Sequence, residues 1–289
     1  MIISKRPRRL RSTDAIRSLM RENLLTPNDL IAPLFVMEGK GKREEIPSMP
    51  DQYRLTLDEL SNEVKDLWSL GVKAVCLFPA IDDHKKDAKA SEAINPHGLY
   101  QWAIKEVKAT VPEMLVMSDA ALDPYSSDGH DGLVDSKTGE ILNDETLEVL
   151  AQMALVQAEA GADIIGPSDM MDGRVAFIRE TLEKAGRKNT LIMSYTAKYA
   201  SSFYGPFRDA LQSAPKKGDK KTYQMDPSNV REALREAKLD EEEGADILMV
   251  KPGLPYLDVI AELRRQSELP IAAYNVSGEY AMVKAAHLR

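Results

Sequence analysis

Apolar residues in this chain gather in short runs, each bracketed by glycine, proline or charge. Runs of this kind read as strands buried on both faces. They predict strands at 30–36, 72–79, 115–119, 162–167, 191–195, 247–251 and 270–276. Between them, apolar residues recur at helical spacing and predict helices at 56–70, 98–110, 145–160, 172–186, 227–243 and 256–266, with another from Ala281 onward. A further short helix, at 13–21, is expected near the N-terminus, capped by Ser12 or Thr13. Three stretches repeat one motif, a helix ending in glycine and then an apolar strand: SLGVKAVCLFP, EAGADIIGP and EEGADILMVKP. Such units mean parallel strands joined by crossover helices. Seven strands are visible where an α/β barrel needs eight. The expectation is a (β/α)8 TIM barrel over 29–289 behind an N-terminal arm at 1–28. Its eighth strand is missing, unless the N-terminal segment or another chain supplies it, and the sequence reads as C-terminally short.

Composition narrows the function classes. The chain has 289 residues and a net charge of -8, which argues against nucleic acid as a partner. Its one cysteine, Cys76, lies in a strand run; it excludes a disulfide framework within the chain and fits a reducing, cytoplasmic setting. No stretch reaches the ~18 apolar residues of a membrane span, and the N-terminus lacks the apolar region of a signal peptide. It carries a basic cluster, KRPRRLR at 5–11, expected to pack on another subunit.

Barrel chemistry sits where strands end. ILMVKPG closes a strand with Lys251, and a desolvated lysine sheds its proton and attacks carbonyls. Lys198 follows the neighbouring strand, and each cation lowers the other's pKa. The pair points to Schiff-base chemistry, with two solvated lysines as the bland alternative. Other strand ends supply Ser118, Asp119, Ser168, Asp169, Asp172 and Ser277. The long loop SDAALDPYSSDGHDG gathers Asp119, Asp123, Asp128, His130 and Asp131; carboxylates without cysteine suit a hard ion such as Mg²⁺, or are simply a solvated Asp-rich turn. Tyr204, Arg208, Lys220 and Lys221 lie on or near a loop that could close on a substrate carboxylate, or are a solvated charged loop.

MSYTAKYASSFYGPFRDA, LMVKPG, GPSDMMDGR, SDAALDPYSSDGHDG, GDKKTYQMDP and AAYNVSGEYAM together resemble the porphobilinogen synthase, or 5-aminolevulinate dehydratase, family over almost the whole chain. The resemblance implies a barrel with an arm, a homo-octamer, and a hydro-lyase that condenses two 5-aminolevulinate molecules to porphobilinogen in tetrapyrrole synthesis. It implies an imine from Lys251 to the substrate that becomes the propionate (P) side, and one from Lys198 to the acetate (A) side. Tyr204 and Arg208 match lid residues, with Arg208, Lys220 and Gln224 on the A-side substrate. Ser277, with Tyr274 nearby, matches the P-side carboxylate binder. Asp119 matches a carboxylate near the reacting amines, and Ser168 and Asp169 match pocket-lining residues.

Three departures from the family pattern carry consequences. Where zinc-dependent members have three cysteines, this chain has Ala121, Asp123 and Asp131, which excludes a thiolate zinc and resembles the magnesium-using, zinc-independent members. Glu236 matches the glutamate that holds an allosteric Mg²⁺ in such members. Lys220 stands where many members have arginine, so a bidentate clamp becomes a point contact. The family chain also continues into an eighth strand that supplies a P-side tyrosine. Two competing readings are an aldolase-like lyase, which needs one lysine only, and a non-catalytic barrel that assembles with partners.

Overall fold

A computed structural model describes residues 3–287; residues 1–2, in the predicted arm, and 288–289, in the stretch predicted as the last helix, lie outside them. The strands are β1 (Ile31–Val36), β2 (Arg43–Glu45), β3 (Tyr53–Leu55), β4 (Ala74–Pro79), β5 (Leu115–Ala120), β6 (Leu133–Val134), β7 (Ile141–Leu142), β8 (Ile164–Pro167), β9 (Leu191–Lys198), β10 (Ile247–Lys251) and β11 (Ile271–Ala273). The helices are α1 (Asp14–Leu19), α2 (Leu57–Ser69), α3 (Leu99–Thr110), α4 (Asn143–Ala160), α5 (Arg174–Lys184), α6 (Gly205–Leu211), α7 (Val230–Glu242), α8 (Leu257–Gln266) and α9 (Ser277–His287).

One sheet runs β11-β10-β9-β8-β5-β4-β1-β3-β2. The seven strands expected from the sequence are its parallel body. The polar loop after β1 adds two short strands that were not expected: β3 pairs with only the last two residues of β1, and β2 runs antiparallel to β3. The arm contributes no strand, so among the described residues no eighth barrel strand joins β11 to β1. The last helix begins at Ser277 rather than Ala281, and β11 is shorter than expected. Among residues 3–33 none is buried, and α1 is a short helix capped by the Thr13 hydroxyl, which accepts from Ile16 N.

The repeated glycines explain how each helix turns into its strand. Gly71, Gly161 and Gly244 hold φ values of 94°, 114° and 101°, a region that costs any other residue strain. Alternation then sorts the core. Leu34, Val36, Val75, Leu77, Val116, Ile165, Ile192, Leu248 and Val250 pack outward under the helices. Phe35, Cys76, Phe78, Met117, Ile164, Met193 and Met249 form a separate inner cluster. Both faces are buried, which is why the strands read as unbroken apolar runs.

Behind the sheet lies one fully buried ionic cluster. Arg174, at the start of α5, donates to both carboxylate oxygens of Asp240 on α7 at 3.2 and 3.3 Å, and Ser194 of β9 donates to the same carboxylate at 2.6 Å. Removing one partner of such a pair strands the other charge, at a cost of about 3–5 kcal/mol. Asp240→Ala is therefore expected to lower unfolding stability by about that amount in urea titration; a loss under about 1 kcal/mol would contradict the role given to the pair.

Candidate active site

Period two decides which residues enter the barrel mouth. Met117 faces inward on β5, so Asp119 does too. Ile164 faces inward on β8, so Ser168, four residues on, follows it. Met249 faces inward on β10, so Lys251 does. Lys198 breaks this count: Met193 and Tyr195 are inward, and alternation would carry Ala197 into the mouth. Instead Ala197 packs outward. The cause is a bulge: Ser194 pairs with Leu248 but Ala197 with Val250, so β9 spends one residue more than β10 over the same length. Bulges re-aim side chains in this way. Lys198 thereby comes to lie beside Lys251, at the end of a strand longer than the sequence predicted.

The pocket at this mouth gathers Lys198, Lys251, Asp119 and Ser168 from the strand ends and Asp123 from the loop after β5. Over them lie Tyr204, Arg208, Lys220 and Gln224, carried by α6 and the segments that flank it. Phe207, which the sequence reading passed over, lines the pocket as well; its signal was an aromatic one residue before Arg208 in the GPFRD run.

The two lysines are compensated differently. Lys251 is buried, and its Nζ makes no hydrogen bond or ion pair among the described residues. The rings of Tyr274, Tyr195, Phe207 and Tyr204 surround it at 4.5, 5.0, 5.2 and 5.3 Å. Burial first, and the Lys198 charge second, bring its pKa down to about 8, against the pull of Asp119. Lys198 instead sits 3.0 Å from Asp131 and donates to the Ser168 carbonyl. Asp131 reaches Lys220 with its other oxygen at 2.5 Å, and Asp123 holds Lys220 at 3.2 Å. Burial opposes ionisation of Asp131, yet Lys198 and Lys220 together lower its pKa to about 2. Asp119 is raised to about 6 by burial, in spite of both lysines, which gives it a proton to lend near neutrality. Arg208 lines the pocket with no hydrogen bond or ion pair from its guanidinium among the described residues, so it is open to a carboxylate.

Two predicted residues stand elsewhere than expected. Asp169 does not line the pocket: with Ser168 facing in, alternation turns it back toward Arg174, 4.0 Å away, where burial raises its pKa to about 7. Ser277 is not free to take a substrate carboxylate here; its hydroxyl donates to Phe203 O at 3.1 Å and accepts from Phe207 N at 3.0 Å. Tyr274 does reach the site, through its ring against Lys251.

The carboxylates expected to hold a cation were tested by what they already hold. Asp123 and Asp131 are engaged by ammonium groups, and among the described residues no group of three or more metal-ligating side chains converges. That pair does not fit a resident Mg²⁺. Glu236 on α7 is half-buried, its pKa raised by burial, with no hydrogen-bond partner among the described residues and with Asp240 and Asp172 near. A single carboxylate of that kind fits a hydrated Mg²⁺, which keeps most of its waters.

Comparison with known proteins agrees with this geometry. The family model described as delta-aminolevulinic acid dehydratase matches residues 4–289. Delta-aminolevulinic acid dehydratase of Halalkalibacterium halodurans is 54% identical over 99% of this chain and 86% of its own length. That of Bacillus subtilis is 54% identical over 97% and 86%. A crystal structure of the Toxoplasma gondii ME49 enzyme, in complex with the reaction product porphobilinogen, superposes with a TM-score of 0.97 at 56% identity, covering 99% of this chain and 81% of that one. The chain belongs to the delta-aminolevulinic acid dehydratase family, the lyases also called porphobilinogen synthases.

Proposed function

We propose that Lys251 and Lys198 each take one 5-aminolevulinate as an imine in the family's reaction, the condensation of two such molecules to porphobilinogen with loss of two waters. The observation that carries this division is the unequal state of the two lysines. Among the described residues Lys251 has no ionic partner, and with a pKa near 8 about one chain in ten holds it as the free amine at pH 7. Lys198 is tied to Asp131 and must first be released. The first imine therefore forms on Lys251. Each imine expels one carbonyl oxygen as water, which accounts for both waters, and the later bond-forming steps return both lysines as amines. Holding two ketones at fixed separation makes their union effectively intramolecular.

Arriving second, the other substrate presents its carboxylate to Arg208 and Lys220. That carboxylate competes with Asp123 and Asp131 for Lys220, and Lys198 gives up its pair with Asp131 when it loses its proton to form the imine. Asp119, with its raised pKa, stands close to both amines for proton transfer. Lys220 contributes a point charge and Arg208 the fork. Gln224 adds an amide at the same side of the pocket.

The finer readings rest on the same residues. Glu236 would hold a hydrated Mg²⁺ outside the pocket, and no thiolate zinc is called for. The exposed Leu10, Leu19, Leu24 and Leu25 of the arm support its packing on another copy in a homo-octamer. Among the described residues no helix is long and apolar enough to cross a membrane, and with a single buried cysteine this supports a cytoplasmic setting.

Two outcomes follow. Because the amine is the reactive form and protons remove it, the rate of imine formation should rise with pH through about 8 and fall about tenfold for each unit below; a flat profile from about pH 6 to 9 in stopped-flow measurement would contradict it. Activity should rise with added Mg²⁺ and survive a zinc-selective chelator, and loss of activity with that chelator would set the metal reading aside.

A further inference from the structure

Lys220 has to be held at a fixed reach by a loop with little to hold it. Lys216, Lys217, Gly218, Asp219, Lys221 and Thr222 are all exposed, and apart from Lys220 the run presents no buried side chain. Burial of apolar surface therefore contributes almost nothing to its position. The loop lies instead against the end of the Asp-rich loop. Lys216 N donates to Asp128 O at 3.0 Å. Gly129, with φ of 73°, lets the Ala214 carbonyl approach to where a Cβ would stand only 2.4 Å away.

The next residue is His130, buried to 7% exposure, and it makes two bonds to this one loop. Nε2 is 2.9 Å from the Lys217 carbonyl, and Nδ1 is 3.0 Å from the Tyr223 hydroxyl. A carbonyl only accepts, so Nε2 carries a proton; in the neutral ring Nδ1 then accepts from Tyr223. The Tyr223 oxygen keeps a lone pair, which faces Asp131 N at 3.3 Å. Every donor and acceptor in the circuit is used. Lys217 and Tyr223 stand three residues to either side of Lys220, so one imidazole grips both ends of the segment that has Lys220 at its middle. The ring itself is not part of the pocket lining.

We propose that His130 is a positioning residue: it closes the 217–223 loop through Lys217 and Tyr223 and so sets Lys220 against Asp123, Asp131 and the substrate carboxylate. The proposal rests on the reading of Lys220 as a substrate contact. It also gives the Asp-rich loop two jobs on adjacent residues, with His130 fixing the frame of the 217–223 loop and Asp131 bridging Lys220 to Lys198 on β9.

The test uses the full-length protein. His130→Ala is expected to raise KM roughly 10- to 100-fold, as two hydrogen bonds are lost, with a smaller fall in kcat. The rate of imine formation at Lys251 should stay unchanged. Trypsin should cut faster after the exposed Lys216, Lys217 and Lys221. His130→Asn keeps a group able to reach Tyr223, and His130→Gln one able to reach Lys217, so each should restore part of KM and of trypsin resistance. These two variants also keep the test open should His130→Ala fail to fold. Unchanged trypsin sensitivity in all three variants would overturn the clamp. A loosened loop with unchanged KM would overturn the positioning of Lys220 and its reading as a substrate contact, while imine formation at Lys251 shows independently whether the Schiff-base reading stands.

Discussion

Two ammonium groups cannot share one water-poor pocket unless something compensates them, because burial and mutual repulsion both act against charge there. This pocket meets the constraint unevenly. Asp131 takes the charge of Lys198 and that of Lys220, while Lys251 is left among aromatic faces with its pKa drawn down. Four rings face the Lys251 ammonium, and burial together with the Lys198 charge draws its pKa down. One lysine is thus an available amine and the other a held cation. The proposed order of imine formation rests on this difference.

The barrel supplies the positions and one irregularity supplies the match. Inward residues recur every second place along β5, β8 and β10 and deliver Asp119, Ser168 and Lys251 to the mouth. On β9 the extra residue between Ser194 and Ala197 changes the phase, and only then do Lys198 and Lys251 stand side by side. A regular β9 would send Lys198 outward toward the helices. The 216–222 run over the mouth is held by polar contacts to the Asp-rich loop, since most of its own residues lie in solvent.

Much of this was legible in the chain. Buried parallel strands announce themselves as apolar runs, so all seven were found, and Ile247–Lys251 was placed at its true bounds. Gly71, Gly161 and Gly244 marked the helix ends because φ above zero suits little else. Other features were not legible, for physical reasons. β2 and β3 are short and polar and owe their pairing to the end of β1, which no local pattern records. Asp169 looks like a pocket residue until the direction of Ser168 is known. Ser277 seemed free because its partners, Phe203 and Phe207, are distant in sequence. Asp123 and Asp131 suggested a cation site by composition, and only the fold shows that lysines from remote segments already occupy them. The strand ends and the family resemblance both pointed to the two lysines, but the difference between their surroundings exists only in three dimensions.

The central claim is that Lys251 is the free nucleophile and Lys198 the held one. The most direct measurement is borohydride trapping with limiting 5-aminolevulinate, followed by peptide mass mapping. The adduct should appear on Lys251 first and on Lys198 only as substrate is raised into excess. Adduct on Lys198 ahead of Lys251, or on neither lysine, would contradict the account.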